Sequence, residues 1–210
     1  MTTKLKLYNR ALGHLGVTRL ANLTEAVKPR YELDEVYDDT IAAVLEKAGW
    51  KCALRTSQLD YDTNISPTFG MPYAIGKPTD YVRMVNFSSD PNFGPEGEIS
   101  DYQDDGAIWY TNHQTVFIRY VSNGASYGGD LALWPQRLAD YAAFELALRS
   151  GIPITKDRGD RNDMIALSEK KLAEAKGLDA IGEPVKRRPM GTLVQSRFSR
   201  RGVRPEPMRS

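Results

Sequence analysis

The sequence predicts an α+β fold that is mainly α-helical, in which a four-helix bundle carries an inserted antiparallel β domain and an extended C-terminal arm. Three observations predict this fold. Near both ends of the chain, apolar residues recur every three or four positions, as they do on the buried face of a helix. The middle of the chain alternates between apolar and polar residues and is rich in turn residues, which is typical of strands. The final stretch is basic and is interrupted by prolines.

Because helices at both ends of the sequence enclose the strands, we expect the helices to pack together and the β segment to emerge from them. The predicted divisions are residues 1–50 and 131–178 for the helical bundle, 51–130 for the β-rich domain and 179–210 for the arm. A chain of 210 residues is long enough to bury such a core. The alternative arrangement is one α+β domain with its helices on one face of a sheet.

Two helices are predicted before residue 50. In the first, the apolar spacings are three, four and three residues, and Gly16 closes the helix. The second is longer, acidic on its outer face and ends at Gly49, and Pro29 belongs in its first turns, where a missing N–H costs least. The apolar residues are Leu5, Tyr8, Leu12 and Leu15 in the first helix and Leu33, Tyr37, Ile41, Val44 and Ala48 in the second.

Strands are predicted after residue 50. Trp50, Cys52 and Leu54 alternate at period two, and residues 81–87 have the composition of a strand. A three-stranded meander is expected next, because three short runs are separated by Asp-Gly and Asn-His turns. Its strands are 98–102, 107–111 and 115–121, and its turns are Asp105-Gly106 and Asn112-His113.

Two more helices are predicted after the strands. The third helix begins at Pro135, is apolar on most sides and should therefore be central, and the Gly-Ile-Pro sequence at 151–153 breaks it. The fourth helix is highly charged and ends near Gly177. Its apolar residues are Met164, Leu167, Leu172 and Ala175.

The arm is the strongest functional signal in the chain. Residues 183–210 contain eight Lys or Arg and two Glu, so they carry +6, and since the whole chain carries +1, residues 1–182 carry about −5. The few apolar residues of the arm have no regular period, so burial cannot offset an ordering cost of about 1 to 2 kcal/mol per residue. We expect the arm to order on a partner: a nucleic acid, an acidic protein or the acidic surface of another copy.

The composition argues against secreted and membrane-spanning proteins. The single cysteine, Cys52, cannot form an intramolecular disulfide and fits a reducing compartment. The chain does not open on a signal peptide, and it has no run of eighteen apolar residues, so we expect no membrane partner and synthesis in the cytoplasm.

We predict no catalytic residue, no cofactor and no metal site. His14 and His113 lack a His or Cys partner at the spacing of metal ligands. Cys52 alternates with apolar residues and is expected to be a buried structural thiol rather than a nucleophile.

Two acidic patterns resemble parts of known sites, a calcium-binding loop and a catalytic carboxylate pair. A calcium loop is suggested by Asp60, Asp62 and Asn64, but Ile65 and Met71 stand where the loop needs its glycine and its bidentate glutamate. A carboxylate pair of the glycosidase type stays open, because several aspartates could approach one another in the fold. These are Asp38, Asp39, Asp101, Asp104 and Asp105.

Several short motifs occur in a suggestive order. They are LYNRALGHLG at 7–16, LANLTE at 20–25, YDD at 37–39, LEKAGW at 45–50, PTDYVRMV at 78–85 and Trp-Pro at 134–135. In this order, over about residues 5–178, the chain resembles the tail tubular protein A-like head-to-tail adaptors of tailed bacteriophages. The first four motifs resemble the two N-terminal helices and the Trp that follows them in that family. The last two resemble its Pro-x-Asp-x-x-Arg strand entry and its third helix.

The resemblance implies a structural protein of the virion without enzymatic activity. It implies a homo-oligomeric ring, typically of twelve subunits, between the portal protein and the downstream tail tube or nozzle protein, with DNA only as cargo that passes through the channel. Combined with the basic arm, it leads us to expect that the arm docks on the portal through charged residues and one aromatic. These residues are Lys186, Arg187, Arg188, Arg197, Phe198, Arg200, Arg201 and Arg204.

Two other functions remain as alternatives. A non-specific DNA-binding accessory protein would use the same basic arm on phosphates, although a single aromatic in the arm gives little support for base stacking. A cell-wall hydrolase would use carboxylates of the β region.

Overall fold

A computed structural model of the chain describes residues 1–67, 70–155 and 161–181. Within these residues, helices lie at both ends and strands lie between them. The helices are α1 (Lys4–His14), α2 (Lys28–Glu46), α3 (Gln136–Thr155) and α4 (Arg161–Ile181). The strands are β1 (Leu54–Asp60), β2 (Tyr73–Gly76), β3 (Tyr81–Ser88), β4 (Tyr102–Asp105), β5 (Ile108–Thr111) and β6 (Thr115–Ser122).

The starts of the first two helices follow from their sequences. The Thr3 hydroxyl accepts a hydrogen bond from the Lys6 amide at 3.3 Å and so caps α1. Pro29 lies in the first turn of α2, as predicted, where its missing N–H leaves no helical bond unmade. Gly16 follows α1 with a positive φ of 67°, which confirms the predicted end of the helix.

Helix α3 is the centre of the helical layer. It is apolar on most sides, and α1, α2 and α4 each pack against it, whereas α1 and α2 hardly contact one another. The central position predicted for this helix is confirmed. None of the helices in the described part of the chain has both the length and the apolarity needed to cross a bilayer. The buried apolar residues of α3 are Leu138, Ala139, Tyr141, Ala142, Ala143, Phe144, Leu146 and Ala147.

The prediction of a four-helix bundle with an inserted β domain is wrong. The buried helical core also contains Trp50, Ala53 and Val121, and Leu54 and Val82 pack against it. A bundle closes its apolar residues among helices alone, but here the chain before β1 and a strand of the sheet supply part of the same core. Over the described residues the protein is therefore a mixed α+β fold with four helices and two three-stranded antiparallel sheets.

The two sheets enclose a second apolar core. The strand order is β1-β6-β3 in the first sheet and β2-β5-β4 in the second. β1 pairs with β6 without interruption from Leu54 opposite Val121 to Asp60 opposite Thr115. The buried residues of the second core are Ile75, Phe87, Ile99, Trp109, Val116, Ile118 and Tyr120.

The predicted three-stranded meander is wrong in two respects. β4 and β5 form a hairpin with Gly106 at a positive φ of 57° in its turn, but β4 shares only Tyr102 with the predicted strand 98–102. β6 instead leaves this sheet and becomes the central strand of the first one. The reason is that β6 supplies buried residues to both cores: Tyr120 belongs to the core between the sheets and Val121 to the helical core. A strand that is buried on both faces belongs in the centre of a sheet.

The alternation of Trp50, Cys52 and Leu54 does not begin a strand. Residues Lys51–Ala53 form a 3-10 turn, and β1 begins only at Leu54. The cause is the side chain of Trp50, which is 1% exposed and donates its indole N–H to the Val44 carbonyl at 2.8 Å. This bond holds residue 50 against the end of α2 and forces the chain to turn.

The last two helices are longer than predicted. α3 continues to Thr155 with Pro153 inside it, because the carbonyl that loses its helical partner there belongs to exposed Arg149, where water can bond it. α4 continues to Ile181, past Gly177, which does not adopt the positive φ of a C-terminal cap.

Asp80 joins the strands of the first sheet. Its carboxylate accepts hydrogen bonds from the Arg55 guanidinium at 2.8 Å, from the Tyr120 hydroxyl at 3.0 Å and from the Ser122 hydroxyl. Burial alone would raise the pKa of this carboxyl, but the three donors outweigh it and hold the pKa below its ordinary value. Asp80 is therefore ionised and fixes β1, β6 and the loop before β3 relative to one another.

The loop after β6 passes close to the helical core at Gly128. A Cβ added there would lie 2.4 Å from the Ser122 carbonyl oxygen and 3.0 Å from the Ala53 side chain. The Gly128 carbonyl also accepts the indole N–H of Trp134 at 2.9 Å, just before α3. Only glycine fits here, and the close approach positions the start of α3 on the first sheet.

Candidate assembly surface

The end of α4 lies in a groove at the surface of the helical core. Two adjoining cavities of about 430 and 300 Å³ share Trp50, Lys51 and Asp179 as lining residues, and we call this region the exit groove. Its walls come from the segment after α2 (residues 47–51), the start of α3 (residues 135–138), the last turns of α4 and three residues of the first sheet, Leu54, Arg83 and Val85. The groove is therefore built where three helices meet.

Lys51 and Asp179 fasten the last turn of α4 to this groove. The Lys51 amide lies 3.4 Å from each carboxylate oxygen of Asp179, and the Lys51 ammonium donates to the Asp179 backbone carbonyl. That carbonyl lies in the last turn of the helix, where no helical donor remains. The contacts hold the last turn of α4 against the segment that follows α2.

Apolar side chains remain exposed around the exit groove. Leu178 is 53% exposed, Ile181 is 78% exposed and Val85 of β3 is 45% exposed. One turn before Leu178, Glu174 lies 3.0 Å from the Lys171 ammonium and 3.6 Å from the Arg137 guanidinium. Such a mixture of exposed apolar residues and charged neighbours is typical of a surface that contacts a partner.

A second and larger groove lies between α1 and α4, with α3 as its floor. It has a volume of about 810 Å³ and is open to solvent, and we call it the basic groove. Four cations and one carboxylate line it. The lining residues are Lys6, Asn9, Arg10, Gly13, His14, Arg19, Asp140, Phe144 and Lys171.

The floor of the basic groove is held by one ion pair and one ring contact. Arg10 lies 3.0 Å from the Asp140 carboxylate and bridges α1 to α3. The His14 ring stacks on Phe144, with 3.8 Å between the ring centroids. This contact covers one face of the imidazole of the exposed His14, and partial desolvation lowers the pKa of His14 below its ordinary value of 6.5, although Asp140 opposes the shift. His14 is therefore neutral at pH 7 and adds no charge to the groove.

The residues considered for catalysis or metal binding lie apart. Burial, followed by the charge of Asp179, raises the pKa of Cys52 to about 11, so the thiol is protonated at neutral pH. Asp62 accepts from the Asn64 amide at 2.8 Å in a local turn rather than in a calcium loop. Among the described residues, no three His, Cys, Asp or Glu side chains are placed to share a metal ion.

The aspartates considered as a catalytic pair are divided between two elements. Asp38 and Asp39 lie on α2, whereas Asp104 and Asp105 lie on β4 in the second sheet. Asp104 is already paired with the Lys77 ammonium at 2.5 Å, and Asp101 accepts from the Asn112 amide at 3.2 Å. The two groups therefore lie on different elements, and Asp101 and Asp104 have local partners.

The predicted portal-docking residues lie outside the described part of the chain. They are Lys186, Arg187, Arg188, Arg197, Phe198, Arg200, Arg201 and Arg204. The described structure ends at Ile181, the last residue of α4, shortly before these cations. The described structure therefore bears on the docking hypothesis only through the end of α4, which precedes the arm in sequence.

Sequence reasoning missed both grooves. Lys51 and Asp179 are 128 positions apart, and neither residue belongs to a motif. A signal was present in α4, because Leu178 and Ile181 fall outside its buried face, but the assumed end at Gly177 excluded them from the helix. The basic groove had no sequence signal, because its cations are spread over α1, the following loop and α4.

Comparison with known proteins adds no relative to this picture. No family model matches the chain, and no match was found among curated proteins.

Proposed function

We propose that this protein is a structural adaptor of a bacteriophage virion. In this proposal, copies of the chain form a ring, typically of twelve, between the portal protein and the tail, and DNA passes through the central channel. The basic arm docks on the portal and acts as a tether. The observation that carries the proposal is the end of α4, which is fastened to the core and carries exposed apolar residues where the arm begins.

The attachment of α4 suits a helix that must carry load. Ala175 is buried against the helical core, and Met164 and Leu172 pack along its edge. The Asp179 contacts with Lys51 then hold the last turn. A tether transmits force only if the helix that carries it stays bound to the core, and α4 is held along its length and at its end.

The arm has the length and chemistry for a tether. Its 28 residues span at most about 90 Å when extended, at about 3.3 Å per residue, which is enough to reach deep into a neighbouring ring. Arginine guanidinium groups form paired hydrogen bonds with carboxylates, so seven arginines suit an acidic protein surface. Many such contacts, repeated by symmetry, hold firmly even when each is weak.

The charge of the body supports passage of DNA rather than retention. Residues 1–182 carry about −5, whereas affinity for DNA depends on cations that neutralise phosphates. A ring of subunits whose residues 1–182 are net negative offers few cations that could bind the phosphate backbone.

Removal of the arm tests the proposal. A chain that ends at Ile181 is expected to unfold at the same denaturant concentration as the full chain, because the described core is complete without the arm. It is expected to fail to co-sediment with portal-containing particles. The matched control keeps the full length and replaces the eight cations of the arm with glutamine. We expect this control to bind at least tenfold more weakly than the intact chain, since its charged hydrogen bonds are lost. Attachment of the truncated chain at the level of the intact chain would contradict the tether.

A non-specific DNA-binding protein is the second candidate function. The eight cations of the arm favour it, because they could neutralise several phosphates. In this case duplex binding would weaken steeply between about 50 and 200 mM salt and would disappear with the arm. Salt-sensitive duplex binding that needs the arm, without attachment to portal particles, would select this function over the adaptor.

A further inference from the structure

Helix α2 carries a continuous acidic face. Glu35, Asp38, Asp39 and Glu46 are exposed and fall within about 100° around the helix axis at 100° per residue, and we call them the acidic ridge. The ridge lies on the side of α2 away from the buried residues Leu33, Thr40 and Val44, and the fourth buried residue, Leu45, borders it next to Asp38. In the described part of the chain none of the four carboxylates has an ion-pair partner.

The centre of the acidic ridge permits close approach. Ala42 is exposed between the carboxylates, so no long side chain separates them from a partner surface. Tyr31 lies at the N-terminal end of the same face, 53% exposed, with the Arg30 guanidinium stacked 4.0 Å from its ring centroid. The ridge is therefore a convex strip with negative charges around a small apolar centre.

The basic groove has the complementary charge and shape. Arg10 and Lys171 are paired, with Asp140 and Glu174. Lys6 and Arg19 have no carboxylate partner among the described residues, and the Lys6 ammonium donates only to the Met1 carbonyl at 3.1 Å. The groove therefore offers two uncompensated cations at its rim, in a cavity of about 810 Å³.

The acidic ridge and the basic groove lie on different parts of one subunit. The groove is lined by α1, α3, α4 and the loop after α1, and no residue of α2 lines it. A contact between ridge and groove must therefore join two copies of the chain. Because the two surfaces differ, the contact is head to tail, and a head-to-tail contact closes into a ring when its rotation permits.

We propose that the acidic ridge of one subunit seats in the basic groove of the next copy of the same chain, and that this is the lateral contact of the ring. The inference rests on the proposed function, which supplies the ring, and it adds the surfaces that join neighbours. Lys6 and Arg19 face the four carboxylates of α2, and the uncharged His14 and Phe144 pair lies beneath Ala42. Single exposed ion pairs are weak and are screened by salt, so the contact is strong only when repeated around the ring.

Charge exchange tests this contact in the full chain. The groove variant carries Lys6→Glu and Arg19→Glu, and the ridge variant carries Glu35→Lys and Asp39→Lys. All four side chains are exposed. The matched control for the ridge variant carries Glu96→Lys and Asp105→Lys, which make the same change in net charge at exposed positions of the second sheet region. Sedimentation velocity at about 100 μM protein and 50 mM salt measures self-association, with 500 mM salt as the screened reference.

The wild type and the control are expected to self-associate at low salt and to dissociate at high salt. Each exchanged variant alone is expected to stay monomeric. The groove variant places carboxylates opposite carboxylates, and in the ridge variant two Lys beside Asp38 and Glu46 remove the net negative charge of the ridge. An equimolar mixture of the two variants is expected to associate again, since the intact ridge of the groove variant meets the intact groove of the ridge variant. A mixture no larger than its components, or a wild type that does not associate, would overturn the proposal.

Two further outcomes separate this contact from one made by the arm and from the adaptor function. If truncation after Ile181 abolishes self-association and the groove variant retains it, the arm covers the acidic ridge and the proposal is overturned. Restored association in the mixture supports the contact even if the intact chain fails to join portal particles. In that case the adaptor function is rejected and the contact between copies is supported.

Discussion

Replacement of Trp50 with alanine is expected to lower the free energy of unfolding by about 3 to 5 kcal/mol. Trp50 is 1% exposed and lies where the ends of α2 and α4 meet the start of α3. Its removal opens a cavity in the helical core and leaves the Val44 carbonyl without its indole donor at 2.8 Å. The exit groove should also lose the contact that places Lys51 beneath the end of α4.

Urea unfolding followed by circular dichroism measures this effect. Leu133→Ala is the control, because Leu133 is 50% exposed and its removal is expected to cost less than about 1 kcal/mol. Trp50→Phe separates the two causes, since it keeps a large ring and removes the indole N–H. A loss below about 1 kcal/mol for Trp50→Ala would show that this residue does not join the three helices.

Replacement of Asp80 with asparagine is expected to cost about 2 kcal/mol at pH 7. The change removes the charge that attracts Arg55 at 2.8 Å and weakens the acceptors used by the hydroxyls of Tyr120 and Ser122. Tyr120 is fully buried, so its hydroxyl has no water to replace a lost partner. Chemical denaturation at neutral pH measures the cost, and Asp130→Asn, in a short capping turn, is the control.

The stabilisation lost in the Asp80→Asn variant should also depend on pH in a specific way. The pKa of Asp80 is below its ordinary value of 3.8 in the folded protein, so the unfolded chain binds more protons as the solution becomes acidic. The stabilisation by Asp80 is therefore fully present above the unfolded pKa and is lost as pH falls through the folded pKa. The difference in unfolding free energy between wild type and Asp80→Asn should stay constant above about pH 5 and shrink as pH falls from about 5 towards 2. A difference that stays constant over this range would contradict the role of the ionised carboxylate.

The helices were largely predictable from sequence because their signals are local. The three- and four-residue spacings around Tyr8 and Val44 reflect burial on one face of a helix, and Pro29 and Gly16 mark helix ends through their own backbone preferences. The errors at Pro153 and Gly177 show the limit of such signals. Both residues tolerate a helix when the surrounding packing favours one.

The arrangement of the strands was not predictable in the same way. β6 follows a hairpin and could pair with β5, but Val121 is needed in the helical core and Tyr120 in the core between the sheets. That demand arises from residues far away in sequence, so no local pattern reports it. The prediction of a separate inserted domain failed for the same reason, because Ala53 and Val121 belong to the helical core.

The candidate surfaces also depend on distant residues. The charge of the arm is visible in the sequence, whereas the exit groove needs Lys51 beside Asp179 and the basic groove needs α1 beside α4. The separation of the candidate aspartates was not predictable either, because Asp38 and Asp39 lie on α2 whereas Asp104 and Asp105 lie on β4.

Electron microscopy of the full chain mixed with its portal tests the adaptor account most directly. The account predicts a ring of this protein on the tail side of the portal, with additional density that begins at the end of α4 and runs into the portal. The chain that ends at Ile181 should give particles without that ring. Portals that remain bare in the presence of the full chain, or an equally occupied ring formed by the truncated chain, would contradict the account.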